Sequence, residues 1–260
     1  MKKIIFLLIP IFLIIAIVEF FLYIKKPNYT ELDKTLGWKL KNNFSHTYNQ
    51  KNLEGKNYRV NFSTNNLGMR NYITNPNKPS ELKIFVFGDS FTSDPYASNK
   101  KMWYSEIANL IYKNHKKNTS VFSMGAGGYG NLQQLISIQK LKEKKFNFDD
   151  INLLIFQFCN NDFKNNSRSI EKKLNAFNQY SRRPYLENKK IIYDNSLISN
   201  FLRMPIIGDS RIVNKFFFLL NKIDFKVLVD RNIDYQESIA TTTKIISEIK
   251  KELIYKNIVM

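Results

Sequence analysis

Three short apolar runs, each closed by turn-forming residues and separated by stretches of helical period, constrain this chain more than any other feature. Leu82-Lys83-Ile84-Phe85-Val86-Phe87 runs into Gly88-Asp89-Ser90. Ser120-Val121-Phe122-Ser123-Met124 runs into a glycine cluster, Gly125 to Gly130, and Ile151 to Phe158 runs into Cys159-Asn160-Asn161-Asp162. Strands apolar almost throughout belong to a sheet covered on both faces. Trp103 to Asn114 carries Ile107, Leu110 and Ile111 at helical spacing. Asn131 to Lys145 carries Leu132, Leu135, Ile136 and Leu141, with lysines opposite. Strand, helix, strand, helix, strand predicts a parallel sheet with right-handed crossovers. The expected fold class is α/β, a three-layer flavodoxin-like sandwich over residues 82–260.

Ile4 to Ile24 reads IIFLLIPIFLIIAIVEFFLYI between Lys2-Lys3 and Lys25-Lys26. At ~1.5 Å per residue it reaches ~30 Å, the thickness of a hydrocarbon core. It has no polar face, and no small-x-small cleavage site follows it. The expectation is an uncleaved, single-pass membrane anchor over 1–26, with the remaining chain outside the cytoplasm. Glu19 sits toward the far end of that stretch, within reach of an interface. Residues 27–81 read as a tether with a small β element. Tyr58 to Ser63 alternates like a half-buried strand, Asn65 to Arg70 offers turn chemistry, and Asn75 to Pro79 is a linker. Residues 163–232 read as an irregular cap, with a hairpin around Asn188 and a helix from Arg211 to Lys222. Asp234 to Tyr255 reads as a long helix with Ile239, Ile245, Ile246, Ile249 and Leu253 inward. Ile258-Val259-Met260 opens a further strand.

Forty Lys and Arg face 22 Asp and Glu, a formal charge of +18 over 260 residues. The basic residues are scattered and form no nucleic-acid motif, so the charge reads as a solvated surface near a membrane. Nucleic acid is not an expected partner. The single cysteine, Cys159, excludes an intrachain disulfide and reads as a small buried residue rather than a thiol nucleophile. The His, Cys and carboxylate residues show no metal-ligand spacing, and neither a metal nor a cofactor is expected.

In open parallel sheets, ligands bind beyond the carboxyl ends of the strands, where strand order reverses. Ser90, Gly128 and Asn161 fall at that edge. A serine hydroxyl needs a base to attack a carbonyl, and the resulting oxyanion needs preorganised donors worth ~3 kcal/mol each. The backbone N–H groups of Ser90 and Gly128 and the Asn161 amide supply three such donors.

The three blocks resemble the SGNH (GDSL-type) hydrolases, a family of serine esterases and acyltransferases. Phe87-Gly88-Asp89-Ser90 matches the first block, Gly128 the donor glycine of the second, and Asn161-Asp162 the Asn-Asp pair of the third. The resemblance implies Ser90 as nucleophile, with Gly128 and Asn161 holding the oxyanion. The anchor and the Asn65 to Arg70 segment are similar to those of membrane-tethered members. Cys159 stands where the family usually has glycine, and Ser123 where asparagine is common. The family's Asp-x-x-His block, which carries the general base, is absent from the sequence. His46 lies in the tether region and His115 at a lysine-rich helix end, so neither is placed to serve. The expectation is a hydrolase whose chain ends before that block.

The implied function is cleavage of an O-acyl ester, with a cell-envelope glycan or a lipid as possible carrier of the acyl group. Two alternatives stand beside it: a membrane-anchored O-acetyltransferase on such a glycan, and a catalytically inert binding or scaffold protein. A second Gly-Asp-Ser, at Gly208-Asp209-Ser210, follows a proline-marked stretch and reads as a loop coincidence. Gly125, Gly127 and Gly130 also satisfy G-x-G-x-x-G, but no acidic residue ends the following strand as dinucleotide binding requires.

Overall fold

The computed structural model describes residues 2–25, 28–175, 179–227, 235–253 and 258–259. Helix α1 (Lys2–Lys25) leads into two antiparallel hairpins, β1 (Thr30–Asp33) with β2 (Gly37–Leu40) and β3 (Ser45–Lys51) with β4 (Asn57–Ser63). Strand β5 (Arg70–Ile73) follows. The core then runs β6 (Leu82–Gly88), α2 (Ser90–Ser93), α3 (Trp103–His115), β7 (Thr119–Gly125), α4 (Asn131–Glu143), β8 (Leu153–Phe156) and α5 (Asn160–Asn166). The cap region contains α6 (Arg168–Asn175), α7 (Gln179–Arg182), β9 (Tyr185–Glu187), β10 (Lys190–Ile192), α8 (Leu197–Leu202), α9 (Pro205–Asp209) and α10 (Arg211–Val227). Helix α11 (Gln236–Glu252) and strand β11 (Ile258–Val259) return to the core.

The central sheet has the order β11-β8-β6-β7-β5. Strands β11, β8, β6 and β7 are parallel; β5 joins the edge antiparallel, Arg70 opposite Ser123. The expected all-parallel sheet is corrected at that edge. The Asn65 side chain accepts from the Leu67 and Met69 N–H groups, turning the chain back along β7. Period-two alternation divides β6 between two cores. Ile84 and Val86 pack with Met102 and with Tyr104 and Ala108 of α3. Phe85 and Phe87 face the other way, toward α4 and toward Ile245 and Ile249 of α11. Phe87 stacks on Phe156 with ring centroids 5.0 Å apart.

Helices α3, α4 and α11 form where periodicity placed them, but their buried faces differ in detail. Leu110 is 57% exposed and Ile239 is 44% exposed, both expected inward. On α11 the buried line is Ser238, Thr242, Ile245 and Ile249. Its two polar members bond α5: Ser238 Oγ donates to Phe163 O (2.5 Å) and Thr242 Oγ1 accepts from Asn166 Nδ2 (2.9 Å). Strand β8 is shorter than the run Ile151 to Phe158, since a 3₁₀ turn, Phe148–Asp150, precedes it. The expected hairpin turn is present, with Asn188 and Lys189 both at positive φ (48° and 64°), as a two-residue primed turn demands.

Among the described residues, no helix is long and apolar enough to cross a membrane. The single-pass span expected over 4–24 is therefore corrected to a helix, α1; the side chains of residues 2–8, 11, 12, 23 and 25 lie outside the described ones. Its Glu19 does not reach for an interface but caps α10. Glu19 Oε1 accepts from Arg211 N (2.7 Å), and Oε2 accepts from Ile212 N and Ser210 Oγ (both 3.1 Å).

The β1–β2 hairpin is pinned to α4 by one carboxylate. Asp33 Oδ1 accepts from the Thr35 and Leu36 N–H groups (both 2.9 Å), and Lys140 Nζ lies 3.0 and 2.9 Å from the two oxygens. Burial pushes the Asp33 carboxyl up, but Lys140 and the turn N–H groups outweigh it and hold it down to about 2. A depressed carboxylate contributes stability that is present above its ordinary value and lost as pH falls through the folded one. Asp33→Asn is expected to cost roughly 1–2 kcal/mol at neutral pH, allowing for solvent screening. Urea melts should show that difference fading as pH falls toward about 2.

Candidate active site

The strand pairing fixes the neighbourhood of the site. Gly88 lies opposite Gly125 and Phe87 opposite Phe156, so the turns after β6, β7 and β8 leave the sheet side by side. Numbering the parallel strands by chain order gives 2-1-3-4, and order reverses between β6 and β8. That is where a doubly wound sheet opens a crevice. Ser90 leaves from one side of it and Asn161 from the other.

Ser90 is the first residue of α2 and is exposed. Asp89 caps that helix: it is 1% exposed, and Oδ1 accepts from Phe91 N (3.0 Å). Its second oxygen accepts from Asn161 Nδ2 (3.2 Å). One carboxylate thus joins the turn carrying Ser90 to the turn carrying Asn161. An amide nitrogen has two N–H groups, so the Asn161 side chain retains a second donor.

Backbone shape explains two glycines here. A Cβ on Gly125 would collide with Gly88 O, so the second turn approaches the first at bare-backbone distance. Gly128 has φ +80°, in the left-handed region. It lies in the turn between β7 and α4, where the Trp38 indole N–H donates to Gly127 O (3.1 Å) and Tyr129 N to Ala126 O (3.0 Å). The strand pairing therefore brings the Ser90, Gly128 and Asn161 turns to one edge of the sheet, and the Asp89–Asn161 hydrogen bond ties two of them together.

The carboxylate that holds the Asn161 side chain is Asp89, not the adjacent Asp162. Asp162 instead caps α5, its Oδ2 accepting from Cys159 N (3.0 Å). It is 0% exposed, and among the described residues Oδ1 has no hydrogen-bond partner. Burial lifts its carboxyl to about 7; the Cys159 N–H and Arg183 pull it down, and the charge of Asp89 pushes it up. Cys159 itself has extended backbone (φ −127°), so the turn needs no glycine there. Gln157 Nε2 donates to its sulfur (2.7 Å). Burial raises the Cys159 thiol, as do the charges of Asp89 and Asp162, which disfavours a thiolate.

Sequence reasoning missed three residues that shape this edge. Arg70 is fully buried, and its guanidinium donates to Ser93 O (2.8 Å), Asp94 O (2.7 Å), Ala97 O (2.6 Å) and Asn99 Oδ1 (3.0 Å). It holds the loop that follows Ser90. Gln157 Oε1 accepts from Thr92 Oγ1 (2.9 Å), fastening α2 to the end of β8. Trp38 reaches the glycine turn from the β1–β2 hairpin. Nothing in their local sequence marks them, because each partner is distant in the chain.

The other sequence candidates fall elsewhere. His46 lies on β3, stacked on Tyr48 at 5.6 Å, and His115 is exposed at the end of α3. Ser123 is buried, and its hydroxyl donates to Tyr104 OH (2.8 Å), away from the crevice. The last glycine of the pattern before α4 is packed against α5. A Cβ on Gly130 would stand 2.7 Å from Asn166 Oδ1, which already takes the Leu132 N–H (3.4 Å).

No protein-family model matches the chain, and no curated protein does. Among solved structures, the chain is similar to AlinE4, an SGNH-hydrolase family esterase, at 14% identity and a TM-score of 0.29. That match covers 66% of this chain and 98% of the other. Two mutants of the same esterase match over 68% of this chain and 96% of theirs, also at 14% identity and a TM-score of 0.29. A likeness at that level carries no argument about the site.

The Asp162 shift gives a measurable pH dependence. The unfolded chain releases this proton near 3.8, whereas the folded chain keeps it to about 7. Between those values the folded state binds more protons, so stability falls as pH rises. Asp162→Asn keeps the acceptor for Cys159 N and removes the cost. It is expected to be more stable than the parent by at least ~1 kcal/mol at about pH 8, with no advantage at about pH 3, in paired urea melts.

Proposed function

We propose that this chain processes O-acyl esters of the SGNH type, with Ser90 as nucleophile. The observation that carries this reading is the Asp89–Asn161 hydrogen bond, which sets an amide donor beside the turn bearing an exposed serine. In the reaction, Ser90 Oγ bonds to the ester carbonyl carbon and its proton passes to the departing alcohol as the C–O bond breaks, a slow step because neither His46 nor His115 stands beside Ser90 to relay that proton. Water, or a second alcohol, then takes the acyl group from Ser90. The N–H groups of Ser90 and Gly128 and the free N–H of Asn161 hold the oxyanion in both steps. The three-layer flavodoxin-like arrangement belongs to this reading, since it puts the crevice at the β6/β8 switch point.

An inert binding role is favoured by one observation: the ring contacts of His46 are with Tyr48 and Phe44, on the β3–β4 hairpin side and not beside Ser90. Hydrolysis of p-nitrophenyl acetate and labelling by a fluorophosphonate probe separate the readings. Labelling of residues 1–260 is expected to be weak, to vanish in Ser90→Ala, and to coincide with ester turnover that Asn161→Ala lowers about 100-fold or more. Turnover and labelling equal in parent and Ser90→Ala would leave the inert reading standing.

We also propose attachment to a membrane through α1. Ile9, Leu13, Ile14, Ile17, Phe20 and Phe21 are each 48% exposed or more, an apolar surface that water does not favour. Sedimentation with vesicles of anionic phospholipid is expected for the full chain and to be lost without residues 2–25. Equal sedimentation of both would refute the attachment.

A further inference from the structure

Between the β1–β2 hairpin and the start of α10 lies a cavity of about 460 Å³, within the range of small-molecule sites. It does not include Ser90, Gly128 or Asn161. Its wall takes up the second Gly-Asp-Ser, through Gly208 and Asp209.

Three cationic side chains line it: Arg182, Arg211 and Lys215. Arg182 is only 9% exposed. Its Nη2 donates to Asn214 Oδ1 (2.7 Å), while its Nε, among the described residues, has no acceptor. That N–H is itself sealed from the cavity, so Arg182 contributes its cationic charge to the wall rather than this donor. Arg211 is held in place by Leu22 O of α1 (2.5 Å), and Lys215 Nζ lies 5.7 Å from the Phe218 ring centroid. Two carboxylates share the wall, and both are engaged. Glu31 pairs with Lys39 (3.1 Å), and Asp209 Oδ1 accepts from Leu32 N (3.0 Å). The remaining wall sets Tyr29, Leu32, Trp38 and Phe218 beside the neutral polar Asn28, Thr30 and Asn214.

We propose that this cavity binds a phosphate monoester head carried on an apolar chain. Arg182, Arg211 and Lys215 supply the charge that favours the head, and the aromatic side chains of the wall take the chain. Trp38 belongs both to this wall and to the Gly127 contact, so an occupant here touches a residue that also supports the glycine turn.

The sequence has two tryptophans. In the full chain carrying Trp103→Phe, fluorescence therefore reports Trp38 alone. The probes are octyl phosphate, inorganic phosphate and octyl glucoside, each below micelle formation. Octyl phosphate is expected to shift Trp38 emission and to bind about tenfold or more tightly than inorganic phosphate, with no shift from octyl glucoside. Asn214→Asp puts a carboxylate against Arg182 at constant shape, and Lys215→Ala removes a lining cation. Each is expected to weaken octyl phosphate about fivefold or more, with folding checked by circular dichroism. Ser90→Ala is expected to bind like the parent, so the outcome is independent of the esterase reading. Equal binding of inorganic phosphate would reduce the site to a free-anion site and overturn the proposal. Equal binding of octyl glucoside would reduce it to an apolar pocket. No shift with octyl phosphate, or undiminished binding by both variants, would remove it.

Discussion

The Asp89 carboxylate sits buried between two helix starts and accepts one hydrogen bond from each turn. Everything proposed about the crevice rests on that sharing. A buried carboxylate demands partners, and here the partners are the N–H of Phe91 and the amide of Asn161. The same group that caps α2 thereby fixes the side chain of a residue 72 positions later. Close packing of Gly125 against Gly88 then leaves the third turn no freedom to drift away.

Around that junction the protein invests buried polar groups rather than more hydrocarbon. Arg70 spends its guanidinium on three carbonyls and one amide oxygen of the loop after Ser90. Burial lowers the pKa of that guanidinium, and the loop carbonyls compensate the lost hydration. Gln157, Asn165 and Asn166 act in the same manner beneath the other turns. An exposed serine on a four-residue helix is held by its surroundings and not by the helix itself.

The mixed α/β fold around a mostly parallel sheet was legible in the chain because strands and helices announce themselves through local period. Phe85 and Phe87 against Ile84 and Val86, or Ile245 and Ile249 on α11, follow directly from spacing. So did the turn at Asn188, where two adjacent residues take positive φ. The three site turns were legible for a related reason: each is a short motif at a strand end. What stayed hidden was everything decided by distant pairing. The antiparallel placement of β5, the burial of Arg70 and the reach of Trp38 depend on partners dozens of residues away. Ile239 pointed outward because α11 meets α5 through hydroxyls, and periodicity favours apolar positions. Asp89, and not the adjacent Asp162, holds the Asn161 amide for the same reason: adjacency in sequence says nothing about which carboxylate a side-chain amide will find.

The cap that Glu19 supplies to α10 links the two extremes of the described architecture. A helix start normally recruits its acceptor from the residue just before it. Here Ser210 takes the Val213 N–H in that way, and the acceptor for the two N–H groups before it arrives from about 190 positions upstream, on α1. A leaderless form would therefore expose two backbone donors and free Arg211 from its carbonyl. Fraying at Ser210, and the proteolytic nick that follows such fraying, would then belong to the shortened polypeptide rather than to the native one.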